Sequence, residues 1–183
     1  RRRSPHLSRT FHAKDTTMTS YKIWDPALRL FHWLLALGFI ANAFLIDGES
    51  PLHEWVGYAL MGLVGLRLLW GLVGPRAARF ASFLPSRGAL TKQLQDIALN
   101  RHSAHLGHSP LGALMIFNLL GTLALVGLTG YLMTTNAFWG VEWVEEAHEM
   151  LATWAELSVL AHVLAVIWES RRTGINLPRA MIT

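Results

Sequence analysis

The 183-residue chain is 52% hydrophobic and only 15% charged, with a formal net charge of +4. Such a composition belongs to a membrane-embedded domain and not to a soluble one. The lack of cysteine excludes disulfides, thiolate-held iron–sulfur clusters and covalent c-type haem attachment, and the basic residues are spread over separate loops and form no patch for nucleic acid.

In chain order, residues 1–20 are polar and Arg-rich and lack the continuous apolar core of a signal peptide. They read as a disordered extension, with Met18 as a possible start, ahead of a single domain over 21–183. Four apolar stretches follow, roughly Leu28–Ile46, Trp55–Val73, Leu111–Met133 and Ala147–Trp168. Each approaches or exceeds the roughly 20 residues that a helix needs to cross a bilayer core. Gly74-Pro75, Ser109-Pro110 and Leu177-Pro178 punctuate their ends. The expected fold is an all-α integral membrane protein, a four-transmembrane-helix bundle.

The flanking charges orient it. Lys22 and Arg29 precede the first span, Arg76, Arg79, Arg87, Lys92 and Arg101 lie between the second and third, and Arg171, Arg172 and Arg179 follow the fourth. The other two connections carry Asp47 and Glu49, then Glu142, Glu145 and Glu146, with no Lys or Arg. Since Lys and Arg accumulate in cytoplasmic loops, both termini are expected in the cytoplasm and the acidic loops in the periplasm.

Of nine histidines, His32, His53, His148 and His162 lie in or at the edge of the spans. Ionisable residues at such depth are usually functional. His148 and His162 are 14 residues apart in the fourth span, nearly one helix face and about 21 Å of rise. His32 starts an ascending helix and His53 a descending one, so depth pairs His32 with His162 and His53 with His148. Two imidazole pairs at two levels of a four-helix bundle suit two six-coordinate haems. A single metal ion cannot use both histidines of the fourth span across that separation. Ala152, Ala155 and Val159, with Ser158 on the margin, lie on the face between them, and Gly57 is one turn after His53. Small residues of this kind either seat a macrocycle or let helices approach closely.

These histidines stand within a set of ordered marks: Trp24-Asp25-Pro26, Arg29-Leu30-Phe31-His32-Trp33, His53-Glu54-Trp55-Val56-Gly57-Tyr58, Arg67-Leu68-Leu69-Trp70-Gly71, Ala78-Arg79-Phe80, Gly107-His108-Ser109-Pro110-Leu111-Gly112 and His148-Glu149. In order and spacing the chain, from about Tyr21 onward, resembles the prokaryotic cytochrome b561 family, related to the b-type cytochrome subunits of Ni-Fe hydrogenases. The resemblance implies two haems b, with the family ligands falling on His32 with His162 and on His53 with His148. It further implies electron exchange between membrane quinone and a redox partner, such as a periplasmic c-type cytochrome or a hydrogenase subunit, in the bacterial inner membrane.

Three further residues are candidates for cofactor contact. Arg67 shares the His53 face at cytoplasmic depth and can pair with an inner-haem propionate, or snorkel to the headgroups. Arg29, one turn before His32, serves the same role or only sets topology. His108 can bond a propionate, line a quinone pocket or merely open a helix. Glu156, a carboxyl in mid-span, is either a protonatable group on a quinol or proton path or a neutral acid bonded within the bundle. Whether the chain has quinol oxidoreductase activity, anchors a hydrogenase or dehydrogenase complex, or is a haem-free transport or scaffold protein stays open at this level.

Overall fold

The helices begin where the sequence supplies their caps. A computed structural model describes residues 26–74, 79–99, 101, 109–174 and 176–182. In it the Ser50 hydroxyl accepts from the His53 amide at 3.3 Å, ahead of α2 (Pro51–Val73), which has Pro in its first turn. Ser109 accepts from the Gly112 amide at 3.1 Å, ahead of α4 (Pro110–Met133), which also starts on Pro. The hydroxyl satisfies an amide left without a helical partner, and proline has no such amide to lose.

α1 (Pro26–Ile40) is continued by a π turn over Ala41–Leu45, and together they make the first span. α2, α4 and α5 (Glu142–Thr173) are the other three helices long and apolar enough to cross a membrane. With 32 residues, α5 is about 48 Å long at 1.5 Å per residue. That exceeds a hydrocarbon core of roughly 30 Å, so its ends project beyond it. Glu142 and Glu145 occupy its first turn and Arg171 and Arg172 its last, the arrangement that complements the helix dipole. Gly174 ends it at φ 71°, a left-handed position that glycine adopts without a Cβ penalty.

Sequence reading placed no helix in the long connection, yet α3 (Arg87–Ala98) forms there. Its N-terminus is capped by Ser86, and Gln93, its buried residue, accepts from the Leu111 amide at 2.9 Å. That bond clamps α3 to the first turn of α4. A one-turn helix, α6 (Leu177–Ala180), folds back toward α5.

α1 packs on α2, α2 on α4, and α4 on α5; among the described residues neither α1 nor α2 packs extensively on α5. Val64, Ala113, Thr122, Thr129, Ala155 and Ser158 are buried between helices. Most are small, as expected where lipid competes with apolar side chains and close backbone approach must supply the attraction. Large residues such as Leu37, Leu66, Leu72 and Leu164 are exposed, which places them toward the acyl chains. Across the α4–α5 seam, the Asn118 amide donates to Ser158 Oγ at 2.9 Å and accepts from the Trp154 indole at 3.2 Å.

Candidate functional site

Between α5 and the α1–α2 pair the helices stand apart, and four imidazoles meet across that gap. His32 on α1 faces His162 on α5 with ring centroids 6.5 Å apart and planes at 58°. His53 on α2 faces His148 on α5, also at 6.5 Å, with planes at 76°. Thus α5 contributes one ring to each pair. The two levels follow the 14-residue spacing along it.

The 6.5 Å separation is chemically specific. Two metal–imidazole bonds of about 2 Å, each extended by about 1.1 Å from nitrogen to ring centre, span about 6.2 Å through one metal. Among the described residues no third His, Cys, Asp or Glu joins either pair to make a metal site. A tetrahedral zinc ion takes four ligands, whereas haem brings four nitrogens of its own and asks the protein for the axial ones. The donor sets therefore fit haem.

α4 orients one ring. His148 Nδ1 lies 3.1 Å from the Val126 carbonyl oxygen and 3.0 Å from Thr129 Oγ1. A carbonyl only accepts, so Nδ1 carries the proton and Nε2 keeps its lone pair for a metal. Thr129 is itself held by the Leu125 and Val126 carbonyls, each at 3.0 Å. Gly130 lets the ring pass: a Cβ there would come within 3.1 Å of His148 Cε1. In contrast, His32 Nδ1, His53 Nδ1, Arg29 Nε and Asn42 Oδ1 are buried with no hydrogen-bond partner among the described residues. Arg29 is one turn before His32, so a buried guanidinium donor adjoins the His32/His162 pair.

Arg67 is 8% exposed, and its guanidinium stacks over the Phe80 ring at 4.7 Å. Phe80 belongs to a cluster with Phe83 and Phe117, at centroid distances of 5.5 to 6.0 Å. It sits against Gly71, where a Cβ would overlap the ring. The small residues of α5 divide. Ala155 and Ser158 are buried, Ser158 bonding to α4, so they serve helix packing. Ala152 and Val159 are half-buried. Glu156 is half-buried and His108 lies outside the described residues.

Sequence reasoning missed Val126, Thr129 and Gly130, whose contacts with His148 are long-range, and the Phe80 cluster. It also passed over Asn42, which carried a signal: a lone amide in an apolar run.

A family model described as prokaryotic cytochrome b561 matches residues 23–183. No curated protein and no solved structure matches the chain.

Proposed function

The chain belongs to the prokaryotic cytochrome b561 family, membrane b-type cytochromes of electron transfer, and on that premise we propose that it holds two haems b and carries electrons across the bilayer between the quinone pool and a redox partner. His32 with His162 would hold the inner haem, and His53 with His148 the outer one. The observation that carries this is the equal 6.5 Å ring separation in two pairs across an open gap. When bound, haem supplies a one-electron couple at each level.

The residues set what that couple can do. With two imidazoles offered at each level, His32 with His162 and His53 with His148 would hold the haems for electron exchange and not for chemistry on a small molecule. The Val126 carbonyl and Thr129 fix the tautomer and tilt of His148. Arg29 and Arg67 would hold propionates of the inner haem by charge-assisted hydrogen bonds; for Arg29 the buried Nε, without a partner among the described residues, supports this. His108, which lies outside the described residues, is a further candidate for a propionate or a quinone.

Both termini would face the cytoplasm of a bacterial inner membrane, because α3 with Arg87 and Lys92, and the end of α5 with Arg171 and Arg172, share one side. The opposite side supports docking of a redox protein, as in the anchor subunit of a hydrogenase or dehydrogenase: Glu142, Glu145, Glu146, Trp139 and Trp143 are all exposed there. Purification of the full chain with haem quantified per polypeptide, plus a spectroelectrochemical titration, tests the proposal. Two low-spin haems are expected; one haem, none, or a high-spin centre would overturn it.

A further inference from the structure

α1 does not finish as an ordinary helix. Its last turn, Ala41–Leu45, is a π turn closed by the Ile46 amide donating to the Ala41 carbonyl at 3.0 Å. Such a turn accommodates one extra residue, re-aims the side chains around it and recurs at functional sites. Asn42 sits in it, the only amide side chain over Pro26–Leu45.

Asn42 reaches toward α2. Its Nδ2 is 3.9 Å from where a Cβ of Gly57 would be, an ordinary contact distance that sets the amide against this turn of α2. Gly57 is one turn along α2 from His53. Asn42 therefore contacts α2 one turn from His53, and Asn42 Oδ1 and His53 Nδ1 are both buried without a hydrogen-bond partner among the described residues. The first only accepts, and the second must donate when Nε2 binds a metal. Opposite, His148 already donates to the Val126 carbonyl; His53 lacks the equivalent bond.

We propose that Asn42 is the positioning residue of His53, its amide oxygen taking the Nδ1–H of that imidazole. The bond closes by a rotation of the two side chains or across one water. It orients the ring and raises its basicity toward iron. A more basic axial imidazole favours the oxidised metal, so the contact lowers the potential of the outer haem and leaves the inner one alone. The proposal rests on the assignment of His53 and His148 to one haem.

The test uses the full, haem-loaded chain and three variants, N42L, N42S and N42A, with a redox titration of each haem and the low-spin electron paramagnetic resonance signal of the outer one. N42L keeps the side chain's approximate size but has no acceptor. It is expected to shift the oxidised-to-reduced equilibrium of the outer haem about tenfold toward reduction, about 59 mV for one electron, and to move its g values. N42S retains an oxygen and should recover most of the shift. An outer haem in N42L with unchanged potential and g values overturns the proposal, as does an equal shift in N42L and N42S, which would mark a packing role. Should N42L fail to retain the outer haem, N42S against N42A carries the comparison, and equal potentials in those two overturn it. Failure of the underlying assignment has a different sign: the unmutated chain would not show two bis-imidazole haems.

Discussion

Replacing His162 by glycine should remove one haem and leave the other. The His162 ring lies 6.5 Å from His32, while the other pair is displaced along α5 by about 21 Å, the rise of 14 residues. At that distance loss of one imidazole cannot disturb the other iron directly, so haem content should fall from two to about one per chain. His32→Gly should remove the same spectral component, and the double variant should lose little more than either single one, because both residues act on one site. His53→Gly and His148→Gly should remove the complementary component. Glycine leaves room for exogenous imidazole, which should restore the missing low-spin signal and separate ligand loss from misfolding. Haem assay, low-temperature spectra and a helicity control measure this. If His32→Gly and His162→Gly delete different components, the pairing is refuted.

Arg67→Ala should shift the potential of the inner haem while retaining about two haems per chain; a redox titration in which both haems shift equally would instead point to a global effect. Asn118→Leu removes two hydrogen bonds across the α4–α5 seam and should destabilise the bundle by about 1 kcal/mol, given roughly 0.6 kcal/mol for each interhelical bond in a membrane, measured by reversible unfolding in bicelles. Gly71→Val should expel Phe80 from its seat on α2 and speed proteolysis at Phe80–Ser82, read by limited digestion. A reporter fused after Thr183 should be active only in its cytoplasmic form; periplasmic activity would invert the topology.

How far the sequence discloses this molecule depends on the range of each interaction. The four spans follow from run length, and the two levels of histidines from helical rise, both local quantities. Runs starting at Trp55 and Ala147 understate α2 and α5, which begin at Pro51 and Glu142, because capping and acidic first turns extend a helix beyond its apolar stretch. α3 escaped because 12 residues with Arg87, Lys92 and Asp96 have no spanning signature; its stability comes from Ser86 and from the contact of Gln93 with Leu111. The face of α5 looked uniform in spacing, yet Ala155 is fully buried and Ser158 is bonded to α4. Only the partner helix could reveal that. The tautomer of His148 was equally hidden, since its determinant is a backbone carbonyl 22 residues away.

The separation of α5 from the α1–α2 pair bears on how the protein is made. α1 and α2 each bear a single imidazole, and the α4–α5 hairpin, joined by Asn118, Ser158 and Trp154, carries both complements and is made after them. On the proposed pairing, a nascent chain interrupted before Glu142 presents two half-sites and retains no cofactor by axial coordination. Capture of the prosthetic groups would thus wait for α5, and each metal would tie the α1–α2 hairpin to the α4–α5 hairpin.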